Sequence, residues 1–222
     1  MNVCILIPAY NESKTIAALV GAVKAKGLHV VVVDDGSVDN TALQASEAGA
    51  VVLSNQRNQG KGATLQKGFQ YVLGEKFDGV ICMDGDGQHA VADLDQFLSS
   101  PHVKPDTIIN GNRMVNAKDM PFVRLYTNRF MSFLISTVCG QKVPDSQCGF
   151  RYIGREVLKT IKLTSGCYEI ESEILIKSAK KGFAIHAVPI QTIYQGEASH
   201  IRPVRDTIRF FTYLLKEVFS KS

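Results

Sequence analysis

Two carboxylates flanking a glycine, Asp84-Gly85-Asp86, follow directly on the apolar run Val80–Met83 and precede Gln88 and His89. Carboxylates at that spacing can hold a hard divalent cation. Mg2+ and Mn2+ suit such a site because they take their remaining oxygens from water and a diphosphate. Gly85 lets the backbone turn tightly and admits a bulky ligand. The triplet alone is weak, since many surface turns contain it; at the end of a central strand it is a strong signal. Two more polar clusters follow apolar runs: Pro8-Ala9-Tyr10-Asn11-Glu12, and Asp34-Asp35-Gly36-Ser37. Any one of them could serve a helix cap, with Ser13 and Asp39 as the capping residues. A cap needs one side-chain oxygen, however, so three acidic clusters predict a ligand cleft.

The elements that must position these clusters can be read from hydropathy. Continuous apolar runs predict strands at Val3–Pro8, Val30–Val33, Ala50–Leu53, Gly79–Met83 and Thr107–Asn110. Helical stretches alternate with them at Ser13–Lys26, Thr41–Ala48, Ala63–Leu73 and Ala90–Ser99. This pattern indicates a parallel sheet covered on both faces, whose ligands bind at the carboxyl ends of the strands. The second half is less regular. It holds an amphipathic stretch Phe122–Cys139, a polar turn Pro144–Gly149, a helix Glu169–Lys181, a strand Ala184–Pro189 and a basic helix Val204–Phe219. No linker or repeat divides the chain, so residues 1–222 are expected to form one α/β domain.

Composition excludes several classes. The 222 residues are 45% apolar, and 25 Lys+Arg against 21 Asp+Glu give a net charge of +4, which rules out disordered, collagen-like and disulfide-scaffold chains. Cys4, Cys82, Cys139, Cys148 and Cys167 are an odd number without a C-x-x-C pair, as expected of reduced structural thiols. No 18-residue stretch is free of charge, and Met1–Pro8 lacks the basic start of a signal peptide. These features predict a cytosolic chain. Nucleic acid is not an expected partner, because no stacking platform or recognition motif accompanies the modest positive charge.

The runs PAYNE, VVVDDGSVDNT, NQGKGATLQKG, DGDGQH, GNR and DSQCGFR, in that order between roughly Val3 and Arg205, resemble glycosyltransferase family 2. The closest likeness is to its polyprenyl-phosphate (dolichyl-phosphate mannose synthase-like) branch. The resemblance implies a GT-A fold, a nucleoside-diphosphate sugar donor, Mg2+ or Mn2+, and inversion at the sugar. It makes residues 1–112 the donor half and 113–222 the acceptor half. Position by position, Pro8, Tyr10 and Glu12 match the first-strand motif of the nucleoside pocket. Val33 and Asp35 match the second, where the carboxylate accepts from base or ribose. Gly60, Lys61 and Gly62 match a turn beside the nucleotide. Asp84, Gly85, Asp86 and Gln88 match the metal and diphosphate motif, with Asp84, Asp86 and Gln88 as metal ligands. Arg113 would face the diphosphate; the other reading is a solvated loop arginine. The Gly60 turn is not a P-loop, since it lacks the Walker glycine and no Ser or Thr follows Lys61.

An inverting transfer is one in-line displacement with negative charge growing on the leaving diphosphate, and a cation and nearby arginine stabilise that charge. A sugar hydroxyl acceptor would need a base, for which Asp145 stands in the matching place. A lipid phosphate is already anionic, with a second pKa of ~6, so Asp145 would then orient it. Asp145 could equally close an Asx-type turn after Pro144. Phe122–Cys139 carries Phe122, Leu125, Tyr126, Phe130, Phe133, Leu134 and Val138 with Arg124 and Arg129. Such a helix can lie in a membrane interface with Arg129 at the acceptor phosphate, or pack on a core. Its apolar run Phe130–Ile135 is too short to span.

The final helix sets Ile208, Phe211, Leu215 and Phe219 on one face. The stretch Tyr194–Arg205 is expected to close over the donor. Gln195 stands where the family often has a basic residue, leaving Ser199, His200, Arg202 and Arg205 as candidates for that diphosphate contact. The leading reading is transfer of a hexose, mannose from GDP-mannose first, to a polyprenyl phosphate by a peripheral enzyme at the cytosolic membrane face. A membrane-anchored partner or a homo-oligomer would fit that placement. The alternatives are a family 2 enzyme using a UDP-sugar and a hydroxyl acceptor, a sugar nucleotidyltransferase, and a non-catalytic nucleotide-binding module. A nucleotidyltransferase would want a Gly-rich basic loop where Tyr10-Asn11-Glu12 stands.

Overall fold

β-branched and apolar residues crowd the first strands so densely that both faces must be covered, and they are. In the computed structural model, which describes residues 1–191, 193, 209–214 and 217, β1 (Val3–Ala9) pairs in parallel with β2 (His29–Asp34) and β4 (Gly79–Cys82), and β2 pairs with β3 (Val51–Ser54). Period-two alternation splits β1 between two cores. Cys4 and Leu6 face one, packed by Leu65 and Phe69 of α3 (Lys61–Gly74). Ile5 and Ile7 face the other, with Ile16, Leu19, Val20 and Val23 of α1 (Ile16–Ala25) and Ala45 of α2 (Thr41–Glu47).

Among the described residues the sheet has seven strands in the order β3-β2-β1-β4-β6-β5-β7, where β5 is Thr107–Asn112, β6 Arg151–Gly154 and β7 Ala184–Pro189. Six run parallel. β6, which the hydropathy pattern does not suggest, lies antiparallel between β4 and β5, Arg151 opposite both Cys82 and Asn110. It is four residues long, opens on a charged residue and is buried throughout, so no alternation marks it. A short helix follows α3 on the opposite core face: α4 spans Leu94–Leu98 after a single 3-10 turn.

The long helix expected at Phe122–Cys139 is present as α5 with those bounds. The segment Arg113–Asp119 before it is irregular 3-10 structure. α6 (Arg155–Thr160), also unforeseen, begins at Arg155, whose guanidinium bonds the carbonyls of Val72, Leu73, Glu75 and Phe77 where α3 ends. There its charge meets the negative end of the helix dipole. α7 (Ile170–Lys180) packs against α5 and α3. Residues 209–214 are helical, but it is Phe210 and Leu214 that bury in the core, with Phe211 only partly covered. That corrects the expected Phe211 face by one position; apart from residue 217, the rest of the expected helix and residues 194–205 lie outside the described residues.

Candidate active site

Because β2, β1 and β4 are neighbours, their polar ends meet at one edge. The Asp35 amide donates to Ala9 O (2.8 Å), and Thr15 Oγ1 donates to Gly85 O (2.6 Å), tying the three ends together. Asn11 takes a left-handed φ of 58°, which Asn tolerates better than most residues. Its Oδ1 accepts from Val38 N and its amide donates to Ser37 Oγ. Neither Ser13 nor Asp39 is the N-cap of α1 or α2; Ser13 N donates to Asp39, which also accepts from Thr41 N. Glu12 N donates to Thr41 Oγ1. Tyr10 and Glu12 are half-buried at the end of β1, and Pro8 lines a small cavity with Lys61 and Asp84.

Val33, expected to line the nucleoside pocket, is instead fully buried in the core beside Leu6 and Leu65, because its side chain points inward from the strand. Asp35 also differs from expectation in what it holds. Its Oδ1 accepts from Asn55 Nδ2 (2.8 Å) and Gln59 N (2.9 Å), and its Oδ2 from Gly60 N (2.8 Å). The carboxylate therefore fixes the loop that leads into α3. That loop borders an open polar pocket lined by Ser54, Asn55, Gln56, Arg57, Gln59 and Lys67. Gln59 and Lys67 stand within the NQGKGATLQKG run, whereas Ser54, Asn55, Gln56 and Arg57 belong to no motif, acidic cluster or apolar run that would mark them in the sequence.

Gly60 is the N-cap of α3, and Lys61 and Gly62 open its first turn. Gly62 N and Ala63 N donate to Gly166 O, so these helix-terminal amides are taken up by the protein itself. A Cβ on Gly62 would collide with the Ser165 carbonyl oxygen. Lys61 Nζ sits 2.7 Å from Asp84 Oδ1 and 2.5 Å from Glu171 Oε1 of α7, while His89 Nε2 lies 3.2 Å from Asp84 Oδ2. Burial opposes the charge on Lys61, yet Asp84 and Glu171 outweigh it and hold the ammonium firmly protonated. Burial likewise opposes the charge on Asp84, but Lys61 and His89 hold its carboxyl well below the usual range. Asp86 moves the other way, raised by burial and by the Asp84 charge.

The donors at this strand end suit some cations and not others. Among the described residues no three His, Cys, Asp or Glu side chains converge as a cation cage. Asp86 Oδ1 accepts from Gln88 N (2.9 Å), and its Oδ2 takes no hydrogen bond from a described residue. One open carboxylate oxygen, with a second carboxylate beside it, fits Mg2+ or Mn2+, which complete their shells with water and phosphate. It does not fit a cation that needs a full protein cage.

Arg113 and Asp145 are found together. Arg113 Nε and Nη2 donate to Asp145 Oδ2 (2.7 Å) and Oδ1 (2.9 Å), and Arg113 N adds a third bond to Oδ2. Asp145 is 0% exposed and Arg113 6%. Burial disfavours the Arg113 charge, and the Asp145 hydrogen bonds more than restore it. Arg113 is thus no solvated loop residue. Behind the pair, Asn110 Nδ2 donates to Asp145 O, and the buried Arg151 donates to Asn110 Oδ1 (2.6 Å), Cys148 O and Glu171 O. Arg151 closes the DSQCGFR run, but nothing local shows that its guanidinium is buried beneath Asp145, and Glu171, a helix-start glutamate, carries no sequence signature.

α5 holds the same turn from outside, with Ser132 Oγ accepting from Ser146 N (2.8 Å) and Ser136 Oγ from Val143 N (2.9 Å). Its other face is open. Phe122 is 79% exposed and Phe133 67%, with Val123, Tyr126 and Phe130 between them. Arg129, exposed, stands one turn before Ser132. Among the described residues no helix is long and apolar enough to cross a membrane. Ser199, His200 and Arg202 lie outside the described residues. All five cysteines are free thiols, and burial pushes those of Cys4, Cys82, Cys139 and Cys148 up to about 12.

Comparison with known proteins agrees with this architecture. The profile of the family described as "Glycosyl transferase family 2" matches residues 4–162. The UDP-N-acetylglucosamine–dolichyl-phosphate N-acetylglucosaminyltransferase of Methanococcus voltae is 31% identical, over 86% of this chain and 85% of that protein. The polyprenol monophosphomannose synthase of Mycolicibacterium smegmatis is 30% identical, over 84% and 75%. Glucosyl-3-phosphoglycerate synthase from Mycobacterium tuberculosis, crystallised with Mg2+ and UDP, superposes with a TM-score of 0.69 at 20% identity, covering 99% of this chain and 78% of that one. That likeness shows the GT-A fold, and the mostly parallel seven-stranded sheet agrees with it.

Proposed function

The chain belongs to glycosyl transferase family 2, and from that premise we propose that it transfers a hexose, mannose from GDP-mannose first among candidates, to a polyprenyl phosphate with inversion. The relatives named for dolichyl-phosphate and polyprenol acceptors support this substrate class. One observation carries the reading furthest. The turn that carries Asp145, the partner of Arg113, is hydrogen-bonded to α5, whose outer face is exposed, aromatic and basic. In this reading the donor cleft and a lipid-facing helix share one wall.

In this reading Tyr10, Glu12 and the Asp35-braced loop receive the nucleoside. Asp86 and Gln88, with Asp84 beside them, would hold Mg2+ or Mn2+, which supplies positive charge to the leaving diphosphate. Arg113, fixed by Asp145, adds charge from the acceptor side, and Arg129 meets the incoming phosphate. The phosphate acceptor needs no general base, being anionic at neutral pH. A hydroxyl acceptor would need one, and Asp145 is buried and fully engaged by Arg113, which favours the phosphate. With Phe122, Tyr126, Phe130 and Phe133 in the head-group layer, the chain would work at a membrane surface.

Incubating the protein with Mn2+, polyprenyl phosphate and radiolabelled GDP-mannose, or UDP-N-acetylglucosamine in parallel, should give an organic-extractable, acid-labile product. EDTA should abolish it and excess Mn2+ restore it. Asp86→Ala should remove it. Failure of every donor to label the lipid, or full metal-dependent transfer by Asp86→Ala, sinks the proposal.

A further inference from the structure

Resting on the donor-site reading above, we propose that Lys61 is a built-in cation that keeps Asp84 closed to metal until a nucleoside diphosphate arrives, so that ion and nucleotide enter together. Lys61 Nζ lies between two carboxylates, 2.7 Å from Asp84 and 2.5 Å from Glu171. Gly149 packs directly over the pair. A Cβ built there would stand 2.8 Å from Asp84 Oδ2 and 3.0 Å from Lys61 Nζ, so no further group fits on that side. A divalent ion approaching the Asp84–Asp86 pair therefore meets an ammonium already seated on Asp84 Oδ1. Two cations sharing one carboxylate repel, and in a half-buried cleft the repulsion is poorly screened.

A diphosphate changes that balance. It brings negative charge to the cleft, offers Lys61 a new counter-ion and supplies oxygens to the metal. Glu171 is the positioning residue of the device. It gives Lys61 its second anchor, and its own backbone carbonyl is held by Arg151 Nη1 at 2.8 Å. Neither the acidic triplet nor the Gly60–Gly62 turn assigns such a role to Lys61 or Glu171.

The test measures Mn2+ alone, by electron paramagnetic resonance of the free ion, with the intact chain and neither donor nor acceptor. Lys61→Met should bind Mn2+ at least about tenfold more tightly than the unmodified protein. Lys61→Arg, which keeps the charge, should not. Lys61→Met leaves Asp84 and Glu171 facing each other, so the charge-balanced pair Lys61→Met with Glu171→Gln guards against misfolding and should show the same gain. Adding GDP or UDP should tighten Mn2+ binding more in the unmodified protein than in Lys61→Met. Unchanged or weaker Mn2+ affinity in the folded charge-balanced variant overturns the proposal. That failure differs from failure of the donor reading, which would appear as no Mn2+ uptake by the unmodified protein, with GDP or UDP present, beyond what the nucleotide alone takes up in a protein-free control.

Discussion

Replacing Asp145 with Asn tests whether this carboxylate holds Arg113 or acts on substrate. The side chain is wholly buried and accepts three hydrogen bonds from Arg113, two of them a bidentate guanidinium pair. Removing one partner of a buried ion pair leaves an uncompensated charge and costs about 3–5 kcal/mol. Asn is nearly isosteric and keeps one oxygen acceptor, so the lower end, about 3 kcal/mol, is expected. For a chain of this length each kcal/mol lowers the melting temperature by about 2–4 °C, giving a drop of about 6–12 °C. Calorimetry with urea unfolding would read it, alongside lipid-linked product formation. Arg113→Gln should cost a similar amount. The double variant should recover part of the loss, because the two penalties share one interaction. If Asp145→Asn melts within about 2 °C of the parent but loses transfer, the carboxylate acts on substrate and the positioning argument is refuted.

Other expectations can be checked together. Gly149→Ala pushes on the ends of two side chains rather than on backbone, so it should melt nearly unchanged yet slow transfer on the order of 100-fold through misplacement of Asp84. Changing Phe130 and Phe133 to Ser, or Arg129 to Glu, should release the protein from anionic vesicles in a flotation assay while leaving its melting temperature intact; retained flotation would contradict the role given to α5. Glu173 is buried and accepts from Thr164 N, Thr164 Oγ1, Ser165 N and Lys177 Nζ. Burial raises its pKa, but these donors lower it on balance below the ordinary value of 4.5. Its stabilisation is therefore complete above that pH and disappears as pH falls through the lowered pKa. The stability gap between parent and Glu173→Gln should narrow on acidification below about pH 4.5; a gap constant from pH 7 to about 3 would contradict it.

Much of the donor half was legible because its signals are local. Val3–Ala9 and His29–Asp34 announce themselves as strands by uninterrupted apolar residues, and parallel pairing places their polar ends together. The Asp84–Asp86 pair follows the same logic from β4. α5 was legible for the same reason, since the apolar spacing over Phe122–Cys139 is contained within one helix. The acceptor half was harder to read. β6 begins on Arg151, a charge that only becomes tolerable once Asn110 and the carbonyls of Cys148 and Glu171 surround it.

Composition, periodicity and short motifs along this chain thus determined an α/β sheet with an acidic cleft at its carboxyl edge, because each rests on neighbours a few residues apart. Tertiary structure alone decided which charges meet. Lys61 joins Asp84 and Glu171 across separations of 23 and 110 residues, and Arg113 joins Asp145 across 32. Ion-pair partners are chosen by distance in a low-dielectric cleft, and distance there is set by how strands and helices pack, which no local pattern encodes.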